Sequence, residues 1–352
     1  MAKKKKRSAL RSTLVALSIV LGLVLALLVG GTVYADYLLG KVNYVDKNAT
    51  TPTLSQEEAE LVLKETEPED PEASEFTGPE LSQEEVVMET APILEEKSDN
   101  VITILLLGAD RRKDEPARTD TIILCTLNKT QNTITLTSLL RDTYVRIPGY
   151  KSNRLNVPYV LGGASLLEET LEYNFGIEID GFVEVDFSHF AKLIDLLGGI
   201  ELEVTSGIAG FIYSESGTRV KTGLQLLNGE QALHYSRYRG TAAGDLDRTN
   251  RQRVVLTTLL NEYKIKSMTE LIGLLDDILP MVTTDLTQDE ILEYFMNFFP
   301  MLANAEIVSK RIPADDAFYG AKIDGMSVLV PDIPKCAAEL HKILSEFTEG
   351  VG

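Results

Sequence analysis

The chain contains 352 residues, 44% of them hydrophobic, and has a formal net charge of −19 from 34 Lys and Arg against 53 Asp and Glu. This length allows one large domain or two ordinary ones, with ample apolar residues for a core. Two cysteines exclude a disulfide scaffold and a four-cysteine zinc site. The acidic balance counts against a protein that wraps nucleic acid with a basic surface.

A basic N-terminal tip, residues 1–12, precedes an uncharged and almost wholly apolar run at residues 13–34. About 20 apolar residues are enough for a helix that spans a bilayer. Because Lys and Arg beside a membrane helix favour the cytoplasmic side, we predict a single-pass cell-membrane protein with a cytoplasmic N-terminus and an extracytoplasmic body. A cleaved signal peptide is the alternative, since Val33-Tyr34-Ala35 loosely resembles a cleavage site. The apolar run is longer than a usual signal-peptide core, however.

Residues 35–100 form a predicted acidic extracytoplasmic stalk. Between residues 56 and 100, sixteen Asp and Glu stand against two Lys, and aromatic residues are few. Such a composition cannot bury enough apolar area to offset chain entropy, so we expect a disordered arm that its own negative charge extends. The remaining residues, 101–352, are predicted to form one folded extracytoplasmic domain.

This domain alternates strand and helix signals along the chain. Predicted strands occupy 101–107, 121–127, 133–137, 143–147, 182–187, 199–204 and 306–312. Predicted helices occupy 164–174, 188–197, 228–235, 248–265, 268–279, 288–299 and 335–347. The interleaved order predicts an α/β fold of three layers, with a central sheet covered by helices on both faces. Because turn residues at 128–132 separate two adjacent strands, as in a hairpin, the sheet is expected to be mixed.

Three segments concentrate charged side chains at the ends of predicted elements. They are Gly108-Ala109-Asp110-Arg111-Arg112 with Arg118-Thr119-Asp120-Thr121, then Ser138-Leu139-Leu140-Arg141-Asp142-Thr143, and Arg237-x-Arg239 with Asp245-x-x-Arg248-x-x-Arg251-Gln252. A single cluster of this kind is usually a solvated face or a structural ion pair. Three clusters favour an anion-binding site, since ligands of open α/β sheets bind at strand ends.

The residue types in these segments suit a phosphate ligand. The guanidinium fork of arginine pairs bidentately with phosphate oxygens. Aspartates among arginines either neutralise them or hold Mg²⁺, which takes one or two carboxylates and completes its shell with water and substrate phosphate. Arginine and Mg²⁺ together suit the stabilisation of a phosphoryl group in transfer.

Four motifs over about residues 101–255 resemble those of the LytR-CpsA-Psr family of cell-envelope proteins. They are Ile104 to Asp110 continuing through Arg118 to Thr121, Ser138 to Val145, Arg154 to Tyr159 with Gly162-Gly163, and Leu227 to Leu233 continuing through Arg237 to Gln252. Thr119 stands where the family more often has serine, and both side chains carry a hydroxyl. The predicted tip, anchor and external domain also match the family's topology.

The resemblance implies an exported phosphotransferase with a three-layer α-β-α fold and Mg²⁺, or alternatively Mn²⁺, as cofactor. Family members take a glycopolymer, such as teichoic acid or capsule polysaccharide, from undecaprenyl pyrophosphate. They join it through a phosphodiester to peptidoglycan, at the muramic acid 6-hydroxyl, and release undecaprenyl phosphate. The implied partners are the prenyl-linked glycan, peptidoglycan and the membrane of a Gram-positive type envelope. The prenyl tail is expected in a slot between the sheet and the helices, lined by parts of residues 158–197 and 254–275.

Carried over by position, the resemblance assigns roles to the charged residues. Catalytic roles fall to Arg118, Arg141, Asp110 and Asp142, with Asp110 or Asp142 as the candidate general base. The pyrophosphate is expected on Arg118, Arg237, Arg239, Arg248 and Gln252. The metal ion is expected on Asp120 and Asp245. Asp247 is the alternative to Asp245, which is preferred because it lies three residues before Arg248.

Other functions stay open on the sequence alone. One is a transferase that uses a protein acceptor, or an enzyme that only hydrolyses pyrophosphates. The other is a non-catalytic, prenyl-phosphate-binding regulator of the envelope. The complete set of aspartates and arginines favours catalysis, because binding alone does not require a metal site.

Overall fold

The structure, a computed structural model of the chain, describes residues 34–47, 54–55, 57–59, 61–62, 78–93, 98–110, 118–240, 245–264 and 268–345. Within these ranges, the side chains at positions 110, 118, 245, 263, 264, 268–272, 299 and 302 are not described. The predicted tip at 1–12 and the predicted membrane helix at 13–34 lie outside the described residues, apart from Tyr34. In the part that is described, no helix is both long and apolar enough to cross a bilayer.

The central sheet contains seven strands, in the spatial order β1-β11-β8-β3-β4-β5-β12. In chain order the strands are β1 (Asn43–Tyr44), β2 (Glu80–Leu81), β3 (Val101–Asp110), β4 (Arg118–Asn128), β5 (Thr133–Leu139), β6 (Tyr144–Val145), β7 (Asn153–Arg154), β8 (Gly181–Asp186), β9 (Ile200–Val204), β10 (Gly223–Leu227), β11 (Val282–Thr284), β12 (Glu306–Ile312), β13 (Phe318–Ile323) and β14 (Met326–Pro331). The helices are α1 (Val157–Phe175), α2 (Phe187–Leu196), α3 (Ser206–Ser216), α4 (Gly229–Arg237), α5 (Asp245–Lys264), α6 (Met268–Ile278), α7 (Gln288–Leu302) and α8 (Ile333–Leu344).

The sheet is mixed, as predicted. Its central strand β3 runs parallel to β8 and antiparallel to β4, while β12 runs parallel to β5. The predicted hairpin is formed by β4 and β5, which pair antiparallel from Asn128 opposite Thr133. Its turn is stabilised locally, because the Asn128 side chain accepts a 2.9 Å hydrogen bond from the N–H of Gln131. Asn132 adopts a left-handed conformation with φ 54°, which asparagine tolerates.

Helices cover both faces of the sheet and complete the three predicted layers. On one face, α1 and α8 pack against Leu105 and Leu107 of β3. On the other face, α5 and α7 pack against Ile102 and Ile104, with Phe298 of α7 buried in the contact. Because alternate residues of β3 enter two different cores, the strand is apolar along most of its length.

A second, smaller core lies beside the sheet. Buried side chains of α2, α4, α5 and the β9–β10 ribbon meet there, among them Ile194, Leu202, Leu227 and Val255. The Asn228 side chain caps α4 in a capping box with Gln231, which fixes where that helix begins. This packing holds α4 and α5 next to the end of the central sheet, where the charged segments lie.

Described parts of the predicted stalk contact the body. Strand β1 pairs in parallel with β11 at one edge of the central sheet, and β2 pairs in parallel with β13. Leu38, Leu39 and Met88 are buried. The structure thus differs from a continuous disordered arm over residues 35–100. The physical reason is that an average composition hides a few apolar residues that become buried against the body. It also hides short segments that pair with open sheet edges. The division of the chain at residue 101 stays a prediction.

Leu171 offers a test of the packing between α1 and the sheet, because it is fully buried while Tyr173 on the same helix is 60% exposed. We expect Leu171→Ala to lower the free energy of unfolding by about 2–5 kcal/mol, since it deletes buried methyl groups and leaves a cavity. The control Tyr173→Ala should change it by only about 0.5 kcal/mol. Denaturant unfolding of both variants measures the difference, and equal losses would contradict this packing.

Candidate active site

The three charged segments meet at one end of the central sheet. Strands β3 and β5 end there and β4 begins there, because β4 is antiparallel to both neighbours. This register brings Asp120, near the start of β4, next to Arg141, which follows the end of β5. The first turns of α5 add Arg248 to the same place. The tertiary structure therefore gathers residues that are far apart in the sequence into one cluster.

Asp120 is the centre of this cluster. Its Oδ1 accepts a 2.7 Å hydrogen bond from Nη1 of Arg141, and its Oδ2 lies 3.5 Å from Nη1 of Arg248. The Asp120 side chain is 31% exposed, whereas those of Arg141 and Arg248 are 11% and 3% exposed. The carboxylate thus stays accessible while the two guanidinium groups are largely withdrawn from solvent.

The surrounding charges keep Asp120 ionised. Burial by itself raises the pKa of this carboxyl, but the positive charges of Arg141 and Arg248 outweigh it. With a further contribution from Arg239, they hold the pKa of Asp120 well below its usual range. Arg239 is therefore close enough to act electrostatically on the same carboxylate, as its predicted role at the pyrophosphate requires.

Asp142 is buried next to this cluster and lies between two arginines. Its Oδ1 is 3.7 Å from Nε of Arg141 and 3.9 Å from Nη1 of Arg154. Its backbone carbonyl accepts a 2.9 Å hydrogen bond from the N–H of Leu329, which ties the segment to β14. Arg154 had no predicted role, although it opens the third motif that resembles the family. The pair of ionic contacts orients Arg141 towards Asp120.

The end of α4 carries two predicted pyrophosphate ligands, Arg237 and Arg239. Arg237 is exposed, and its guanidinium carbon lies 5.4 Å from the centroid of the Phe187 ring. Arg251 of α5 is buried, with its guanidinium carbon 4.9 Å from the ring centroid of Tyr238. Contacts of this kind hold a cation over an aromatic face. Arg251 therefore positions the backbone between Arg237 and Arg239, a role that was not predicted from the sequence.

An apolar cavity of about 100 Å³ opens beside the arginines, between the sheet and the helices. Its walls include Leu106, Gly108, Val185, Phe187, Phe190, Leu233, Gln252, Val255 and Leu256. The predicted slot walls at 158–197 and 254–275 thus contribute only in part. Helix α1 packs on the opposite face of the sheet, and residues of β3 and α4 complete the cavity instead.

Gly108 keeps this cavity open. A Cβ atom at Gly108 would lie 2.9 Å from Cβ of Thr121 and 3.3 Å from the ring of Phe187, closer than such atoms normally approach. Strand β3 has a register shift immediately after this glycine. The Thr119 hydroxyl donates to the Gly108 carbonyl at 3.0 Å, so the hydroxyl at this position stabilises the irregular strand. This contact accounts structurally for a hydroxyl side chain at position 119.

Three predicted site residues have side chains outside the described part of the chain. Asp110, the last residue of β3, pairs through its backbone with Arg118, the first residue of β4. Asp245 is the first residue of α5. These backbone positions lie at the same end of the sheet as Asp120. The roles predicted for the three residues remain predictions.

An aspartate–histidine pair that was not predicted from the sequence lies beside the site. Asp186 ends β8, where its backbone is the neighbour of Ala109 on β3. Its Oδ2 lies 2.7 Å from Nδ1 of His189, and its other oxygen caps α2 by accepting the His189 N–H at 2.8 Å. An aspartate immediately before a helical pattern is a capping signal, and that signal was available in the sequence.

Asp120 has the donor chemistry that suits a divalent cation, since it is an ionised and partly accessible carboxylate. Within the described ranges, no group of three His, Cys, Asp or Glu side chains could hold a metal ion. Mg²⁺ sites with phosphorylated substrates use one or two carboxylates together with water and substrate oxygens, and the Asp120 carboxylate fits such a site.

The chain belongs to the LytR_cpsA_psr family, whose sequence model matches residues 58–344. The family predicted from the four motifs is thereby confirmed. The match begins upstream of the predicted boundary at residue 101. It therefore includes some of the described segments that contact the body.

Two curated relatives share clear sequence similarity with the chain. The regulatory protein MsrR of Staphylococcus aureus (strain COL) is 38% identical over 168 residues, which are 47% of this chain and 50% of MsrR. The match therefore spans about half the length of that relative. The polyisoprenyl-teichoic acid–peptidoglycan teichoic acid transferase TagU of Bacillus cereus (strain AH820) is 33% identical over 217 residues, 61% of this chain and 69% of TagU.

A solved structure shows the same fold. It is the LytR-CPS2A-psr family protein YwtF (TagT) with bound octaprenyl pyrophosphate lipid, which superimposes with a TM-score of 0.56 at 23% identity. The superposition covers 74% of this chain and 99% of that one. The mixed central sheet with helices on both faces is thus the family's fold.

Replacing Asp120 tests the charge arrangement. We expect Asp120→Asn to lower the free energy of unfolding at pH 7 by about 1–3 kcal/mol, because it removes the carboxylate that faces Arg141 and Arg248. Since the folded-state pKa lies below the unfolded value of about 3.9, the contribution of Asp120 is complete above that value and is lost as the pH falls.

The difference between wild type and Asp120→Asn should therefore shrink between pH 5 and pH 3 in urea unfolding. Asp316→Asn serves as the control, because the Asp316 side chain is 84% exposed. A difference that stays constant over this pH range would contradict the lowered pKa of Asp120.

Proposed function

We propose that the chain is a phosphotransferase that moves a glycopolymer from undecaprenyl pyrophosphate to peptidoglycan, with release of undecaprenyl phosphate. One observation carries the proposal: a cluster of arginines around an ionised aspartate lies next to an apolar cavity that Thr121 and Gln252 help to line, in a member of the LytR-CpsA-Psr family. Such a site suits a ligand with a charged head and a hydrocarbon tail. The printed name of TagU describes a transferase of this class.

The donor binds across the boundary between the arginines and the cavity. Arg118, Arg237, Arg239 and Arg248 hold the pyrophosphate oxygens, because guanidinium groups pair with phosphate in a fork geometry. Gln252 lines the cavity and lies one helical turn after Arg248, so it belongs to both parts of the site. The prenyl tail enters between β3, α2, α4 and α5.

The reaction exchanges one phosphorus–oxygen bond for another. The muramic acid 6-hydroxyl of peptidoglycan attacks the phosphorus next to the sugar, and the bond from that phosphorus to the bridging oxygen breaks. Undecaprenyl phosphate leaves with the bonding electrons. The hydroxyl proton passes to a carboxylate, Asp110 or Asp142. Because the transition state of such transfers is loose, positioning and charge stabilisation contribute more than base strength.

Arg141 stabilises the charge that develops on the transferred phosphoryl group. Its contacts to Asp120 and Asp142 hold the guanidinium in place before substrate binds, so little reorganisation is needed during reaction. Asp120 and Asp245 would hold Mg²⁺. The ion would supply a Lewis acid for the pyrophosphate oxygens.

The membrane supplies the donor in this proposal. The apolar run at residues 13–34 anchors the chain, and the basic tip stays in the cytoplasm. The body then lies outside the cell, where the lipid-linked donor and peptidoglycan meet.

A transfer assay tests the proposed function directly. The full chain in detergent is incubated with a prenyl-pyrophosphate disaccharide, peptidoglycan oligomers and Mg²⁺, and mass spectrometry identifies the bond and the acceptor. We expect Arg239→Ala to lower kcat/KM at least about 100-fold, because it removes a guanidinium from the pyrophosphate. Arg219→Ala, which removes an exposed arginine stacked on Tyr213, should retain wild-type activity.

Four outcomes would change the proposal. A protein-linked glycan product would identify a protein acceptor, and free sugar phosphate would identify hydrolysis. Lipid binding without turnover would support a regulatory protein, as the name of MsrR describes for that relative. Activity that persists after chelation by EDTA would show that transfer does not require Mg²⁺.

Filling the cavity tests the position of the prenyl tail. Leu256 lines the cavity, whereas its neighbour on α5, Val254, is 37% exposed. We expect Leu256→Trp to raise KM at least tenfold for a donor with a long prenyl chain, because the indole occupies the slot. A donor with a three-isoprene chain should be affected far less. The control Val254→Trp should change neither KM, and equal effects on both donors would exclude the cavity as the tail site.

A further inference from the structure

A second charged site lies one strand away from the arginine cluster. A groove of about 1050 Å³ runs beside β12, the outermost strand of the central sheet, between α5 and α8. Arg253 of α5, Arg311 of β12 and Lys335 of α8 are among its lining residues. None of these residues has a role in the proposed transfer.

Arg253 is the unusual member of this groove, because it is buried with only 9% of its surface exposed. Its Nε donates to the Ser309 hydroxyl at 2.8 Å, and its Nη2 donates to the Asn250 side chain at 3.2 Å. Its Nη1 has no hydrogen-bond partner among the described residues. A buried guanidinium normally pairs with a carboxylate, since withdrawing a charge from water is costly. Arg253 forms no ion pair within the described part of the chain.

Arg311 reinforces the positive charge around Arg253. Arg311 follows Ser309 by two residues on β12, so both side chains lie on the same face of the sheet. Burial, and to a smaller extent the charge of Arg311, together lower the pKa of Arg253 to about 10. Arg311 itself pairs with Asp315, whose side chain is 87% exposed. Because the Asp315 carboxylate is open to solvent, water screens this pair and an incoming anion can compete for the Arg311 guanidinium.

The other ionic groups of the groove are engaged with one another at the rim. Lys310 lies 2.9 Å from Glu339, and Lys335 lies 3.6 Å from Asp332 and 4.0 Å from Asp316. Lys342 is exposed on α8. The carboxylates that line the groove, Asp315, Asp316 and Glu339, thus contact Arg311, Lys335 and Lys310, and none of them forms an ion pair with Arg253. This arrangement suits an external anion at the floor of the groove.

The groove is adjacent to the proposed catalytic cluster. Arg311 pairs through its backbone with Ser138 of β5, and Arg141 lies three residues beyond Ser138. Arg253 follows Arg248 by five residues on α5, which is about 7.5 Å along the helix axis. The groove and the cluster are therefore neighbours along β5, β12 and α5.

We propose that Arg253 and Arg311 form a second oxyanion subsite, which binds a carboxylate or phosphate group carried by one of the two transfer substrates beyond the pyrophosphate. This inference rests on the proposed function. The charged group belongs either to the acceptor, as a stem-peptide carboxylate of peptidoglycan, or to the donor, as a phosphate of the glycopolymer chain. Both sources present the same chemistry to a guanidinium pair.

Kinetics of the full chain with matched substrates test the subsite. The acceptors are peptidoglycan strands with stem peptides and the same strands without peptides. The donors are a prenyl-pyrophosphate disaccharide and the same compound extended with glycerol phosphate units. We expect Arg253→Gln to raise KM ten- to a hundredfold for the charged member of one pair, the range for a lost charge-assisted hydrogen bond. Its turnover of the uncharged member should stay within about twofold of wild type, which also shows that the variant is folded.

Lys342→Gln is the matched control, since it removes the same charge from the exposed rim of the groove, and it should leave every KM unchanged. The pair that responds identifies the source of the anion. An Arg253→Gln variant that changes KM equally for charged and uncharged substrates, or for none, overturns the subsite. Arg253→Lys, which keeps the charge, should restore part of the loss.

A separate measurement distinguishes failure of the subsite from failure of the proposed function. If wild type shows no transfer, the proposed function fails, and the subsite is then tested by calorimetric titration with a stem peptide and with a glycerol phosphate oligomer. Binding of one probe to wild type but at least tenfold weaker to Arg253→Gln supports the subsite. Equal binding to both proteins, or no binding of either probe, overturns it.

Discussion

The arrangement of the site depends on one carboxylate shared among arginines. Guanidinium groups from the segment after β5, from the segment after α4 and from α5 converge at the end of the sheet, and like charges at such separations repel. Asp120 offsets this repulsion, with direct contacts to Arg141 and Arg248. Asp142 provides a second, more deeply buried carboxylate between Arg141 and Arg154. The protein thus maintains a strongly cationic site without substrate, in a chain whose net charge is −19.

Helix α5 contributes residues to the charged cluster, to the apolar cavity and to the groove beside β12. Near its start, Arg248 contacts Asp120, and one turn later Gln252 lines the apolar cavity. Arg253 points instead to the groove beside β12, because successive residues on a helix diverge by about 100°. Val255 and Leu259 bury the helix in the second core. A rigid, well-packed helix can therefore position a charged head group, a hydrocarbon tail and a second anion relative to one another.

Some strands and helices could be predicted from the sequence and others could not. The mixed sheet, the β4–β5 hairpin and helices on both faces follow from apolar runs and turn residues. The β13–β14 hairpin was missed, although Asp324-Gly325, with φ of 50° and 85°, is a favourable turn pair. Helix α1 begins well before the predicted start, because the chain continues through a kink at Gly162 and Gly163. Strands β1 and β2 were missed since they are two residues long and gain stability only from their partners.

The sequence by itself determined the chemistry available to this protein: arginines and aspartates at strand ends, an apolar central strand, and motifs of one family. Only the tertiary structure decided which charges meet. Asp120 contacts Arg141 and Arg248 rather than a neighbour in the chain, and Arg154 joins Asp142. Arg253 is buried and forms no ion pair with a described carboxylate. The physical reason is that such contacts depend on strand register and on burial. Both are set by packing between elements distant in the chain, which local spacing does not report.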